Sequence, residues 1–290
     1  MRKRIAILIL TALVLSFFAG CRVPAAQVVA TTRPVYDFTS VLCDGTGIAV
    51  GQLVTENVSC LHDYTLQVSQ MRMIESAEVV VVSGAGLEDF LEDALVSAKQ
   101  VIDSSEGCHI HDGHDHSHEH HGHSHEQDPH IWLSPENAKL MCENICRELS
   151  LVYPQYADIF AGNLANLSAQ LDALQAYGEK QLSGLSCQEL ITFHDGFGYF
   201  AESFGLTILE AIEEESGSEA SAKELKHLIA LVSEHDLPAV FTEVNGSTSA
   251  ANVVSAETGA KVYCLSMAMS EGNYFDAMRG NIDTIKEAME

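Results

Sequence analysis

The stretch Val79-Val80-Val81-Val82-Ser83-Gly84-Ala85-Gly86 decides the fold class of this chain. Four consecutive valines, with no alternating polar positions, predict a strand that is buried on both faces, as in a parallel sheet. Gly84 and Gly86 then predict a turn, and residues 87–98 have helical spacing. A buried strand followed by a turn and a helix indicates an α/β architecture.

Strand and helix signals alternate through both halves of the chain. They predict further strands at 28–31, 48–54, 101–102, 190–193, 238–242 and 261–265, and helices at 34–42, 65–76, 135–153, 156–182, 198–204, 221–235, 249–258 and 274–289. The helix at 156–182 lacks sustained heptads, which favours a rigid strut over a coiled coil. We therefore expect an α/β fold in which two parallel-sheet lobes are joined by a single long rigid helix. The expected segments are a leader at 1–20, a first lobe at 21–134, a helical segment at 135–184 and a second lobe at 185–290.

Composition limits the classes of partner. The chain has 290 residues, of which 47% are hydrophobic and 19% are charged, so it can bury a sizeable core. It carries 15 Lys and Arg against 41 Asp and Glu, a formal net charge of −26. Such an acidic surface repels phosphate backbones and anionic lipid, and it attracts cations. We expect no nucleic-acid partner.

The N-terminus has the pattern of an export signal. Three basic residues, Arg2-Lys3-Arg4, precede an apolar run from Ile5 to Phe18 that is short for a membrane span. The following Ala19-Gly20-Cys21 resembles the lipobox of bacterial lipoproteins, which implies cleavage before Cys21 and a lipid on its thiol. An ordinary secretory signal with an incidental cysteine is the alternative. Either signal predicts an extracytoplasmic protein.

The other cysteines do not form a zinc-knuckle pattern. Seven remain after Cys21, with no Cys-x-x-Cys pair among them, so a thiolate zinc site is not expected. Cys142 and Cys146 have the spacing of neighbours on one helix face, which favours buried thiols. Cys43 and Cys60 could form a disulfide in an oxidising compartment.

Nine of the 14 histidines fall in one short segment, within a predicted His-rich loop at 108–127. They alternate with Asp, Glu, Ser and Gly, a composition that is typical of many weak, exchanging zinc sites. A solvated linker of biased composition is the alternative. The nine are His109, His111, His114, His116, His118, His120, His121, His123 and His125.

Three further histidines, His62, His130 and His194, stand at predicted element boundaries. His194 directly follows a predicted strand, and ligand groups in open parallel sheets lie at the carboxyl ends of strands. Three neutral imidazoles suit a borderline cation such as zinc and leave one position for water or a carboxylate. Taken singly, each histidine could instead be a buried side chain with satisfied hydrogen bonds.

Together these segments resemble the zinc/manganese cluster of metal-specific solute-binding proteins of ABC transporters, over essentially the whole chain after the leader. The resemblance is carried by His62-Asp63-Tyr64, by Ala77 to Glu88, by the His-rich insert leading into Asp128-Pro129-His130-Ile131-Trp132-Leu133-Ser134-Pro135, by Phe193-His194-Asp195-Gly196-Phe197-Gly198-Tyr199-Phe200, and by Ser221 to Leu225, Phe241-Thr242-Glu243 and Asn273 to Ile282.

The resemblance implies a metal site in the cleft between the lobes, with His62, His130 and His194 as ligands. Manganese-type members have a Glu in place of the third histidine, so His194 implies the zinc type. The family usually supplies an Asp ligand where this chain has Ser266. The fourth position could therefore be filled by water, by a histidine of the insert, or by Glu243, which could equally support the site from behind a ligand.

The implied function is the capture of zinc outside the membrane and its delivery to the permease of an ABC importer. We expect a monomer, anchored to lipid through Cys21, that carries no catalytic residues and binds zinc as its cargo. The alternatives are a surface adhesin or zinc-storage protein on the same fold, and a zinc hydrolase. The absence of a His-Glu-x-x-His motif in the sequence disfavours the hydrolase.

Overall fold

The first of two parallel sheets lies in the N-terminal part of the chain. A computed structural model describes residues 26–56, 61, 64–111, 127–212, 220–270 and 272–290. The strands pair in the order β2-β1-β3-β4, all parallel. Their bounds are β1 Val28–Ala30, β2 Val50–Gln52, β3 Val79–Val82 and β4 Val101–Asp103. All four residues of β3 are buried, as the apolar run predicts.

The second sheet repeats this topology in the order β6-β5-β7-β8, again all parallel. Its strands are β5 Glu189–Thr192, β6 Thr207–Ala211, β7 Ala239–Glu243 and β8 Lys261–Leu265. In each sheet the strand that comes first in sequence, β1 or β5, is central. The second strand pairs on one side of it, and the third and fourth lie on the other side. The carboxyl ends of β5 and β7 therefore flank a crevice of the kind in which α/β proteins hold ligands.

Nine α-helices lie in the described part of the chain. They are α1 Arg33–Leu42, α2 Val68–Ser76, α3 Glu92–Leu95, α4 Pro135–Val152, α5 Ala157–Leu182, α6 Gly198–Ser203, α7 Ala222–Glu234, α8 Ser249–Thr258 and α9 Tyr274–Met289. Short 3-10 turns occupy Asp89–Leu91, Ile131–Leu133 and Pro154–Tyr156. The capping box predicted at Ser221 is present, because its hydroxyl accepts from the Glu224 amide and the Glu224 carboxylate accepts from the Ser221 amide.

Helix α5 has 26 residues, which at 1.5 Å per residue makes it about 39 Å long. It packs against α1 in the first lobe, against α4, which precedes it in the chain, and against α9 at the C-terminus. The predicted fold class, two α/β lobes with one long helix, is therefore confirmed.

The predicted helix at 87–98 is wrong in most of its length. The structure has a 3-10 turn at Asp89–Leu91 and only one short helix, α3. The cause is Glu88, whose buried carboxylate accepts hydrogen bonds from the amides of Ser83 and Gly84 and from the hydroxyl of Thr31, at 2.5 to 2.9 Å. These bonds hold the chain in a loop after β3, and burial raises the pKa of Glu88 to about 7.

One apolar core extends through both lobes. The rings of Phe38 in α1 and Tyr274 in α9 meet edge to face, with centroids 4.8 Å apart. Trp132 is fully buried; its indole nitrogen donates to the Met267 carbonyl at 2.8 Å, and its own carbonyl accepts from the Tyr274 hydroxyl at 2.8 Å. Residues from the first lobe, the connecting helices and the second lobe thus share one cluster.

Cys142 and Cys146 are buried thiols, as their spacing predicts. The cysteines that the structure describes are all unbridged; Cys21 and Cys60 lie outside the described residues. Among those residues, no helix has both the length and the apolar composition needed to cross a bilayer.

Candidate metal centre

His130 is held in one orientation by the residue two positions before it. It precedes the 3-10 turn at Ile131–Leu133, and its backbone amide and its Nδ1 donate to the same Oδ1 of Asp128, at 3.0 and 2.8 Å. With the proton on Nδ1, the lone pair of Nε2 is available to a metal. Although burial raises the pKa of Asp128, the hydrogen bond and charge of His130 outweigh it and hold that pKa below its ordinary value.

His194 lies two residues after β5, at the crevice of the second sheet. Its carbonyl accepts from the Thr192 hydroxyl at 3.0 Å, and its ring is almost completely buried. Its Nε2 faces Nε2 of His130 at 3.4 Å, and the two rings are nearly perpendicular. Two nitrogens that share one tetrahedral zinc, each about 2.05 Å from it, would be about 3.3 Å apart. The pair therefore has the spacing of two ligands of one ion.

Glu243 ends β7 on the other side of the same crevice. Its Oε2 lies 3.6 Å from Nδ1 of His194, beyond ordinary hydrogen-bond range, and the carboxylate is buried. This carboxylate oxygen thus lies beside the ring nitrogen of His194 that does not face His130. In this arrangement Glu243 can stabilise a metal-bound His194 electrostatically.

Gly196 makes room for both imidazoles. A Cβ at this position would lie 2.9 Å from Nδ1 of His130, 2.9 Å from Cδ2 of His194 and 2.6 Å from the Met267 methyl group. Each of these distances is shorter than real Cβ contacts allow. Gly196 lies in the motif after β5, but no local pattern indicates this role, because two of the three crowding residues, His130 and Met267, are distant in the chain.

Ser266, at the expected Asp position, is engaged in the local turn after β8. Its hydroxyl accepts from the Ala268 amide at 3.1 Å, while its amide and carbonyl bond the side chain of Asn281 at 2.7 and 2.8 Å. The next residue, Met267, brings its methyl group near Gly196 and the histidine pair. The described part of the site therefore receives no carboxylate from this turn.

The remaining predicted site residues fall into two groups. His62 lies outside the described residues, as do Cys21 and His114, His116, His118, His120, His121, His123 and His125. His109 and His111 are described, and they contact Glu202 rather than the His130–His194 pair.

The chain is similar to known proteins in both sequence and structure. The model of the family described as zinc-uptake complex component A, periplasmic, matches residues 28–288. A putative metal-binding protein of Treponema pallidum is 29% identical over 275 residues, covering 90% of this chain and 86% of that protein. The zinc-binding protein AdcA of Streptococcus pyogenes serotype M3 is 30% identical over 320 residues.

That alignment covers 99% of this chain but 61% of AdcA, so the chain spans less than two thirds of this relative. A crystal structure of ZnuA superposes with a TM-score of 0.81 at 29% identity, covering 92% of this chain and all of that one.

Proposed function

The chain belongs to the family of the periplasmic zinc-uptake complex component A, and from this membership we propose that His130 and His194 are two of the donors with which it holds zinc. The function is that of a zinc-binding, substrate-binding protein of ABC import. Zinc is its cargo. The observation that carries the proposed site is the 3.4 Å separation of the two Nε2 atoms, one of which is already oriented by Asp128.

We propose His62 as the third donor, because its place in the sequence matches the family's first ligand. The described residues on either side of its segment are Leu61, which is buried, and Tyr64, whose amide donates to the Leu61 carbonyl at 3.0 Å. Three imidazole nitrogens complete the set that zinc prefers while leaving one position open. We assign that position to water, since Ser266 bonds within its own turn.

In this proposal, Glu243 supports the site without binding the ion. Three neutral imidazoles give the dication no formal negative charge, so a buried carboxylate beside His194 supplies the compensating charge. The 3.6 Å distance from Nδ1 of His194 supports this role. Asp128 supplies a second carboxylate behind His130.

We propose that the chain is a carrier and not an enzyme. An open zinc position can also activate water for hydrolysis, so the donor set alone does not distinguish the two. Family membership favours transport, and we expect the zinc-loaded protein not to hydrolyse ester or peptide substrates.

We propose that the protein binds zinc outside the cytoplasmic membrane and delivers it to the permease of an ABC importer. We propose that residues 1–20 are removed, that Cys21 carries a lipid anchor and that the mature chain is a monomer. Its lobes would be 21–134 and 185–290, with 135–184 between them. Because α5 packs against helices of both lobes, we expect closure around zinc to be small.

The experiment is a competition titration of the mature chain with zinc, manganese and other divalent ions, repeated on His130→Ala/His194→Ala. The matched control is His227→Ala/His235→Ala, which removes two histidines of the second lobe that lie outside the cleft. We expect zinc preference and tight binding in the unmodified chain and the control, and loss of tight binding in the cleft variant. Equal affinity in all three proteins would refute the site. If cells that lack the protein fail to grow when zinc is scarce, the result would support import over adhesion or storage.

A further inference from the structure

Tyr199 joins the two segments that carry the histidines of the candidate site. It lies on α6, shortly after His194 in the same segment, and its side chain is almost fully buried. Its hydroxyl donates to the backbone carbonyl of Asp128 at 2.6 Å. Asp128 in turn precedes His130 and orients its ring. This bond therefore ties the segment of one zinc donor to the segment of the other.

The position of Asp128 depends on such bonds, because the residue belongs to neither a helix nor a strand. Its amide donates to the carbonyl of His111 at 3.2 Å, and its carbonyl accepts from Tyr199. The Tyr199 hydroxyl also accepts from the His111 amide at 2.9 Å, and the two rings stack with centroids 4.0 Å apart. Tyr199 thus holds both Asp128 and the residue with which Asp128 pairs.

A displacement of Asp128 would be passed on to His130. The carbonyl that accepts from Tyr199 belongs to the peptide bond before Pro129, and proline restricts both its own backbone and that of the preceding residue. On the other side of His130, the carbonyl of Trp132 is fixed by the Tyr274 hydroxyl at 2.8 Å. The segment therefore cannot shift as a whole, and a movement of Asp128 must reorient the ring of His130.

We propose that Tyr199 is a positioning residue of the zinc site, which holds Asp128 so that His130 presents Nε2 to the ion at the observed 3.4 Å from Nε2 of His194. This inference rests on the proposed function, because it requires that His130 and His194 bind zinc. Tyr199 acts through Asp128 and does not bind the ion itself. Groups that support a ligand from behind in this way typically contribute 10–100-fold to metal affinity.

The chemical consequence of losing the tyrosine hydroxyl lies in the tautomer of His130. Oδ1 of Asp128 accepts from both the amide and Nδ1 of His130, so a small rotation of Asp128 breaks both bonds. Without the acceptor at Nδ1, the neutral ring also populates the tautomer with its proton on Nε2. In that tautomer Nε2 has no lone pair for zinc.

The test is a competition titration of the mature chain and of Tyr199→Phe with zinc and a chelator. Tyr199→Phe keeps the ring that stacks on His111 and removes only the hydroxyl, and circular dichroism checks the fold. We expect zinc to bind about 10-fold more weakly. The matched control is Tyr153→Phe, whose hydroxyl donates to the Glu78 carboxylate at 2.7 Å, just before β3 and away from the cleft. It should bind zinc as the unmodified chain does.

A second measurement separates positioning from a general loss of structure. In the metal-free chain with isotope-labelled histidine, at about pH 8 where ordinary imidazoles are neutral, the nitrogen chemical shifts report which ring nitrogen carries the proton. The His130 signals are identified by their absence from His130→Asn. We expect the proton on Nδ1 in the unmodified chain and in Tyr153→Phe, and a mixture of both tautomers in Tyr199→Phe.

Two results would overturn the role of Tyr199 and leave the proposed function standing. One is an unchanged zinc affinity in Tyr199→Phe. The other is a weaker affinity with His130 still protonated on Nδ1 alone, because the loss would then be structural. A mixture of tautomers in the unmodified chain would refute the orientation of His130 without any variant. If His130→Ala binds zinc as tightly as the unmodified chain, the proposed function fails and this inference fails with it.

Discussion

Nε2 of His130 and Nε2 of His194 lie 3.4 Å apart, although the residues are 64 positions apart in the chain. His130 is fixed by Asp128 before a 3-10 turn, and His194 by its place after β5. The two histidines are therefore positioned by two separate local structures that meet across the cleft. A hydrogen bond between the rings would be long at this distance, whereas two ligands of one zinc ion have about this spacing.

Replacing one histidine of this pair should weaken zinc binding more than replacing any one histidine of the insert. We expect His194→Ala to weaken zinc binding by about 100-fold or more, since even removing a group behind a ligand costs 10–100-fold. His118→Ala, the control from the insert, should change the tight affinity by less than about 2-fold, because neighbouring histidines replace it. Isothermal titration with a competing chelator measures both. Equal losses in the two variants would contradict the cleft site.

Removing the charge of Glu243 should weaken zinc binding while preserving the fold. Glu243→Gln keeps the size of the side chain but removes the negative charge beside Nδ1 of His194, and we expect a loss of roughly 10–100-fold. The control is Glu210→Gln, because Glu210 lies on β6 of the same sheet and its carboxylate is 3.4 Å from the exposed His227 on α7. If Glu243→Gln binds zinc as tightly as Glu210→Gln, Glu243 does not support the site.

An aspartate at position 266, where the family usually has one, should raise the affinity for zinc and reduce the selectivity against manganese. We expect Ser266→Asp to raise affinity for zinc and, by a larger factor, for manganese, because a hard oxygen donor favours the harder ion. An Asp can retain the turn, since its side chain can accept from the Ala268 amide as the Ser266 hydroxyl does. Ser270→Asp adds the same charge to the same loop and should alter neither affinity as strongly. An unchanged ratio of zinc to manganese affinity in Ser266→Asp would show that this position cannot reach the ion.

A methyl group at Gly196 should disturb both histidines at once. The added Cβ of Gly196→Ala would fall 2.9 Å from an atom of each ring, so the rings must move apart or rotate. We expect zinc affinity to fall by about 10-fold or more. Gly162→Ala in α5 is the control, because no atom lies within 4 Å of its added Cβ, and it should stabilise the helix by up to about 1 kcal/mol. Equal zinc affinity in the two variants would mean that the pair tolerates the displacement.

The buried Glu88 should make the stability of the metal-free protein depend on pH. Burial raises its pKa from 4.5 to about 7, so the folded chain holds a proton that the unfolded chain releases. The free energy of unfolding should therefore decline as pH rises from about 4.5 to 7, by at most about 3 kcal/mol from this group. Urea unfolding at pH 5 and pH 8 measures the decline.

Glu88→Gln carries no titratable group at this position, so its decline over the same interval should be smaller than that of the unmodified chain. Glu92→Gln, a change at an exposed carboxylate four residues further along the chain, is the control and should behave like the unmodified chain. Identical declines in all three proteins would show that Glu88 does not titrate in this range.

Much of the fold could be predicted because the central strands of both sheets are short apolar runs that are largely buried. The valine run of β3 had no reasonable alternative, and Ser134-Pro135 and Ser221 marked helix starts correctly. Strand β6 was missed because it lies at the sheet edge, where Thr207 is exposed and Ile208, Leu209 and Glu210 are only half-buried, without the alternation of a strand with one buried face. The helix at 87–98 was wrong because no local pattern shows that Glu88 bonds back to the end of β3.

The family resemblance indicated that His130 and His194 lie together with Glu243 nearby, but the role of Asp128 was missed. His130 and His194 stand at element boundaries, and resemblance to a family places them together. Asp128 carried a local signal, an acid two residues before a histidine, that could have indicated its role. The contacts of Glu202 with His109 and His111 depend on tertiary packing across 91 residues and had no signal in the sequence.

The apolar cluster that joins Phe38, Trp132 and Tyr274 has a consequence for how the molecule unfolds. Two lobes that shared no such cluster, and had only the clusters on their own outer sheet faces, could unfold one at a time. Here, opening either lobe exposes the indole and rings that the other lobe covers, so hydrogen exchange of both sheets should follow one cooperative event. Zinc held at the cleft would then protect both sheets from proteolysis, including strands far from the ion.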